Sequence, residues 1–256
     1  MAENDVLDRE RTTTTSVRAD LTAAFRWAAR LGFHEGICNH FSAMLPDKPG
    51  CYLINPFGMH FSEMRASDLL VVDAEGRVFE GNGEVEATAF HIHSEIHRAR
   101  PDALCVLHTH MPYATAIASL NHGRLAMCHQ NAARFYGRIA YDDDTTEAFQ
   151  GLALSGSEGA RMVRALGEKS ALLLKSHGPL VVGTSVAEAF DDLYYLERAA
   201  QNQVLAASMN QTLAEIDQDT ARRTAADFKI YAPAAARAHL DAIQRILDKD
   251  DPAWRA

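Results

Sequence analysis

The period of the apolar positions changes several times along this chain, and the changes mark its elements. From residue 16, Val17, Leu21, Ala24, Phe25 and Ala28 recur at helical spacing, with Ser16 placed to cap the helix and Gly32 to stop it. HEGICNHFSAMLPD (34–47) reads as a Gly-containing loop entering a short strand. CYLINPFGMHFSEM (51–64) reads as a strand, an Asn-Pro-Phe-Gly turn and an extended return. Ser67 is placed to cap one helical turn before a strand over 69–73, closed by a turn at 74–76, so the first third reads as an antiparallel meander. Residues 86–99 then take helical spacing, and Arg-Pro-Asp (100–102) turns the chain. Residues 103–107 are apolar without alternation, as in a strand covered on both faces, and Pro112 suits the first turn of the next helix. A helix near 157–166 and a strand over 171–175 follow. A long helix over 186–208 carries Val186, Phe190, Leu193, Leu196, Ala200 and Val204 on a stripe wide enough to face both the sheet and a neighbouring subunit. The remainder through Trp254 reads as helical, with Pro233 opening the last helix.

These patterns predict a flexible polar segment over residues 1–15, one domain over 16–210, and a helical extension over 211–256 that packs on the domain or on a neighbour. With 256 residues and 47% hydrophobic content, the chain can bury one large core. A net charge of −9 argues against nucleic acid or an anionic membrane as partner, and no apolar run approaches a membrane span. The N-terminus lacks the charged-then-apolar order of a secretion signal. Cys38, Cys51, Cys105 and Cys128 show no CxxC spacing and read as reduced, mostly buried thiols of a cytoplasmic protein.

The candidate chemistry lies at two strand exits. His108 and His110 stand at i and i+2, so both imidazoles can aim at one point past the strand's end. Converging imidazoles suit a divalent metal, and His177, in the turn of LLLKSHGPLVVG, is the candidate third ligand. His93 and His97, four apart on one helix face, form a competing ligand pair, but Glu95 sits one place late for an HExxH site. His93 is read as catalytic or substrate-facing and His97 as helix packing. His129, Gln130 and Tyr136 could line a pocket, and the acidic run 142–144 reads as a solvated turn.

NHFSAMLP (39–46), INPFGMHFSEMRASDLLVVDAEG (54–76), IHSEIHRARPD (92–102), VLHTHMPYATAIA (106–118) and KSHGPLVVG (175–183) together resemble the class II aldolase and adducin-head family, over residues 17–208. The resemblance implies an α/β fold, a three-layer α/β/α sandwich around a central, mostly antiparallel sheet. It implies one divalent metal per subunit on His108, His110 and His177, commonly zinc, sometimes manganese, cobalt or iron. It also implies a ring-like homotetramer with active sites between subunits.

Sugar-phosphate aldolases of this family carry a catalytic glutamate nineteen residues before the first metal histidine, and that position is Ala89 here. Glu86, one helical turn earlier, is the candidate substitute. The phosphate cradle differs too. Asn39-His40-Phe41-Ser42 stands where those aldolases have Gly-Asn-x-Ser, and Asn55-Pro56-Phe57-Gly58 stands where they have Thr-Pro-Ser-Gly. Phe57 removes a small hydroxyl, so a phosphorylated ligand is disfavoured. His40, Asn55, Gly58 and His60 are instead expected to bind a small-molecule carboxylate, with His129 and Gln130. Catalytic candidates are Glu86, His93 and Tyr136, with a neighbour's C-terminal tyrosine such as Tyr231 as another proton donor. The expected function is a metal-dependent carbon–carbon lyase, aldolase-type or decarboxylase, on an unphosphorylated hydroxy- or oxo-acid. The alternative is a non-catalytic, adducin-head-like oligomerising module.

Overall fold

A computed structural model describes residues 12–142 and 151–256, so residues 1–11 of the N-terminal segment, and Asp143 and Asp144 of the acidic run, lie outside the described residues. The chain begins with α1 (Thr14–Leu31), β1 (His40–Met44), β2 (Cys51–Ile54), β3 (Leu70–Asp73) and β4 (Val78–Glu80). It continues through α2 (Ala87–Ala99), β5 (Cys105–His108), α3 (Pro112–Ala118), α4 (Gln130–Ala133) and β6 (Ile139–Asp142). It closes with α5 (Gly156–Leu166), β7 (Ala171–Leu174), β8 (Pro179–Gly183), α6 (Val186–Ser208) and α7 (Gln218–Asp250). The strands form one sheet in the order β4-β3-β2-β1-β5-β8-β7-β6, antiparallel at every ladder except β6·β7.

The strands sort their side chains onto two faces because successive residues of a strand point oppositely. Phe41, Ala43, Leu53, Val71, Cys105, Leu107, Leu173 and Val181 enter one apolar cluster with α1, α3, α6 and α7. Their neighbours Val106, Leu172, Leu174, Leu180 and Val182 pack instead with Ile92, Ile96, Met162 and Leu166 of α2 and α5. Tyr52, Ile54, Leu70 and Val72 extend that second face and enclose Ala89. The result is the three-layer α/β/α sandwich. Among the described residues no helix is long and apolar enough to cross a membrane.

Several local expectations are corrected. Helix α1 starts earlier than Ser16: Thr13 is the N-cap, and Ser16 returns the bond from the third helical position as a capping box. Ser67 sits inside a 3₁₀ turn (Ala66–Asp68) rather than capping it. Residues 57–58 and 61–63 form turns, so the segment 59–64 is not an extended return. Leu104 is exposed, so the strand begins at Cys105. Pro233 does not open a helix; it lies inside α7. The carbonyl it leaves unbonded belongs to Lys229, an exposed position where water can take up the lost bond. Asp142 is not solvated: it is buried in an ion pair with Arg161. All four cysteines are free, but only Cys105 is fully buried and Cys38 is exposed.

Helix α7 joins the main core through Leu240, Ile243 and Leu247. It is tied there by a buried polar knot. Arg134 donates to Asp191 at 2.6 Å and to Asp192 at 2.9 Å, Arg138 pairs with Asp192, and His239 of α7 lies 2.8 Å from the other Asp191 oxygen.

Candidate metal centre

Strand β5 ends at His108, and the chain leaves it through Thr109 and His110 into α3. Glu197 of α6 fixes that exit. Its buried carboxylate accepts from the amides of Tyr113 and Ala114 at 2.8 and 2.9 Å, so α3 begins at a set point just after His110. His177 comes from the β7–β8 turn, where Ser176 takes φ of +58° to reverse the chain. Gly178 allows a close approach there: a Cβ on it would sit 2.5 Å from the Thr109 carbonyl oxygen.

These elements bring three ring nitrogens together. His108 Nε2 lies 3.2 Å from His110 Nε2 and 3.1 Å from His177 Nε2. Three nitrogens each about 2.0–2.1 Å from one divalent ion are separated by roughly 2.9–3.4 Å, depending on octahedral or tetrahedral angles, so the spacing fits such an ion. The tautomers fit as well. His108 Nδ1 donates to the Pro179 carbonyl at 3.0 Å, and His110 Nδ1 lies 2.6 Å from a Glu35 carboxylate oxygen. With the proton held on Nδ1, each Nε2 presents its lone pair to the common point. Burial, with the neighbouring imidazoles adding, lowers His108 well below the ordinary histidine pKa, and burial is the main cause that lowers His177 to about 4. Both rings are therefore neutral at pH 7, as ligands must be.

Glu35 was not found from the sequence. It sits in a Gly-containing loop after α1, and nothing in its local pattern links it to a histidine far along the chain. Changing Glu35 to Gln should weaken divalent-metal affinity about tenfold, the lower end for a carboxylate behind a metal histidine, because Glu35 is 70% exposed and solvent screens it. Competition with a chromophoric chelator measures this, and an unchanged affinity would refute the role.

The other sequence candidates divide. His40 lies on β1 directly opposite His108, with ring centroids 5.0 Å apart. Burial lowers it to about 3, with His177 and His110 contributing. His93 is fully buried and does not face the site opening. Its Nε2 is 2.7 Å from His40 Nδ1, and its Nδ1 bonds Ser42 Oγ. His97 does more than pack, with Nε2 2.7 Å from Ser42 Oγ and Nδ1 2.8 Å from the Ala103 carbonyl oxygen. Glu86 is the N-cap of α2, its Oε2 accepting from the Ala89 amide at 2.8 Å and from the Thr88 hydroxyl, so that oxygen is held at the helix start.

Asn55 is buried and braces the entry to β1, accepting from the Phe41 amide and donating to the Asn39 carbonyl, each at 3.3 Å. Gly58 takes φ of +86° in the exposed turn beside Phe57, which is 60% exposed. His60 pairs with His34, another residue missed from the sequence, their Nε2 atoms 2.6 Å apart. His129 lies beside Asn202 of α6, Gln130 is exposed at the start of α4, and Arg222 of α7 lies over the Tyr136 ring. These three stand with the helical layer, and among the described residues no hydrogen bond links them directly to the triad. Tyr231 is 68% exposed on α7. A cavity of about 470 Å³ beside Arg18, Glu80 and Arg255 includes none of the triad, and Arg18 and Glu80 are already paired there.

The buried histidines carry a pH dependence. Burial is the main cause that lowers His97 to about 4, and burial lowers His93 well below its ordinary value. Between the ordinary histidine pKa of about 6.5 and about 4, the unfolded chain binds protons that the folded chain refuses. The stability these groups contribute is thus complete above about pH 6.5 and is lost as pH falls toward 4. Urea unfolding of chelator-treated protein should show a midpoint that drops steeply between pH 6.5 and 4.5. A flat midpoint across that interval would contradict neutral burial.

The description "Class II Aldolase and Adducin N-terminal domain" belongs to a family model that matches residues 19–204. A Caulobacter vibrioides protein named for aldolase class 2 is 38% identical over 80% of both chains. Decarboxylase NovR of Streptomyces niveus is 34% identical, covering 78% of this chain and 73% of its own. Among solved structures, an aldolase II superfamily protein from Pseudomonas syringae superposes with a TM-score of 0.85 at 33% identity, over 97% of this chain and 98% of that one. L-fuculose 1-phosphate aldolase from Glaciozyma antarctica PI12 superposes with a TM-score of 0.83 at 28% identity, over 95% of this chain and 93% of that one.

Proposed function

Because this chain belongs to the class II aldolase and adducin N-terminal domain family, we propose that it is a metal-dependent carbon–carbon lyase acting on an unphosphorylated hydroxy- or oxo-acid. The observation that carries the reading is the convergence of His108, His110 and His177, with the two strand-exit rings held through Nδ1 by Pro179 and Glu35. A divalent ion held there, zinc first and manganese, cobalt or iron as alternatives, supplies a Lewis acid for charge developing on a substrate oxygen as a carbon–carbon bond breaks.

The chain's own residues weigh toward one of the two lyase chemistries. Aldol cleavage needs a base for the hydroxyl proton. The place where sugar-phosphate aldolases carry one is Ala89, enclosed here by Tyr52, Ile54, Leu70 and Val72. No carboxylate is available there, and Glu86 caps a helix. Decarboxylation requires no such base, so carboxy-lyase chemistry is favoured, and the similarity to Decarboxylase NovR supports it. Phe57 stands where sugar-phosphate aldolases have a small hydroxyl, which disfavours phosphate.

The protein is further proposed to be cytoplasmic, in keeping with its unbridged cysteines, and to assemble as a homotetramer. Ile230 and Tyr231, exposed on α7, and Met209 beyond α6 offer apolar surface for subunit contact. Light scattering at four times 28.1 kDa is the expected mass.

The test is a panel of hydroxy-acids, aromatic oxo-acids and carboxylated phenols, offered to protein loaded with zinc, manganese, cobalt or ferrous iron. Release of carbon dioxide or of an aldehyde is followed. Failure to retain any of the four metals, together with no turnover, would sink the reading.

A further inference from the structure

His97, Ser42, His93 and His40 form one continuous hydrogen-bonded chain, from the Ala103 carbonyl at the start of β5 to the side of His108 at its end. His93 and Ser42 are wholly buried, and His40 and His97 nearly so. Imidazolium is disfavoured in such a place, so each ring carries a single proton.

The direction of every bond then follows from one end. A carbonyl oxygen only accepts, so His97 Nδ1 carries its proton and His97 Nε2 is a bare acceptor. Ser42 must give its one hydroxyl proton to that Nε2, and its oxygen is left to accept from His93 Nδ1. His93 Nε2 is therefore bare and accepts from His40 Nδ1. The single proton of His40 is committed to this bond, and its Nε2 has no hydrogen. Among the described residues no protein group bonds that Nε2, nor is it a sealed atom without a partner. His40 and His108 are register partners, so their rings rise from the same face of the sheet.

We propose that this chain is a tautomer lock: it presents the bare Nε2 of His40 beside the three-histidine site as an obligate hydrogen-bond acceptor that selects a hydroxyl group of the ligand. A carboxylate or oxo oxygen at that point would set lone pair against lone pair, whereas a hydroxyl donates. The expectation that His40 binds a carboxylate is thereby reversed, because its only N–H points to His93. This inference rests on the hydroxy- or oxo-acid reading and narrows it to a substrate with a hydroxyl near the metal. Ser42 and His97 are positioning residues, acting through His40.

Two measurements test it separately. In chelator-treated protein labelled with ¹⁵N-histidine, long-range proton–nitrogen correlation should place the proton of His40, His93 and His97 on Nδ1. A proton on His40 Nε2 in the wild type overturns the lock, whether or not any variant folds. In cobalt-loaded protein, lactate and pyruvate are titrated against the cobalt absorption bands. The wild type should prefer lactate, and Ser42→Ala, which cuts the chain, should reduce that preference about tenfold with cobalt affinity unchanged. An equal lactate-to-pyruvate ratio in the two proteins overturns the selection. Failure to bind cobalt would defeat the metal-centre reading and with it the selection, while the nitrogen spectrum still decides the lock.

Discussion

Replacing His177 with alanine should drop bound divalent metal from about one ion per chain to a negligible level, and abolish lyase turnover with it. The two histidines left would hold an ion through His108 and His110 alone, and protein sites are built from three or four ligands. The loss should therefore far exceed the tenfold weakening expected from removing the carboxylate behind His110. The fold should tolerate the change. His177 lies in a turn between β7 and β8, is only partly buried and belongs to none of the apolar clusters. Elemental analysis after dialysis, alongside an unchanged circular dichroism spectrum, is the measurement. Full metal retention in a folded variant would place the ion elsewhere.

Arg134→Ala should be the most damaging single change to stability, by about 3–5 kcal/mol. The guanidinium is 4% exposed and lies between Asp191 and Asp192, whose side chains are 2% and 8% exposed. Truncation leaves Asp191 with His239, and Asp192 with the partly exposed Arg138, so two carboxylates remain in the interior with poorer partners. It also removes a cation stacked 4.8 Å from the Tyr195 ring centroid. At roughly 2–4 °C per kcal/mol for a domain of this size, the melting temperature should fall by about 10 °C. Because this knot joins α4, α6 and α7, hydrogen exchange should rise first in α7. A loss below about 1 kcal/mol would mean that water enters and solvates the acids.

The sequence by itself carried the elements whose signal is local. The apolar run ending at His108 reads as a buried strand because both faces are covered, and period 2 puts His108 and His110 on one side without further information. The long helix α6 was legible because apolar residues mark its stripe over about six turns. Turns at 55–58 and 74–76 between short apolar runs were enough to predict a meander, and the departures at Ala89 and Phe57 needed only the sequence.

What the tertiary structure decided is whatever depends on which strand lies beside which. β4 is three exposed residues and β6 a half-buried edge strand, so neither carries a pattern that separates it from a loop. Pro233 has the local mark of a helix start, and only the helix's exposed outer side at Lys229 lets the chain continue through it. Glu35 reaches His110, and His34 reaches His60, through loops that no periodicity connects. His93 read as a ligand or a catalytic group because helical spacing states only that it shares a face with His97. That this face presses on β1, so that Ser42 stands between the two rings and His40 beyond them, is fixed by packing of α2 against the sheet. Hydrogen-bond direction is a property of the assembled chain of groups, and it exists only once they are in contact.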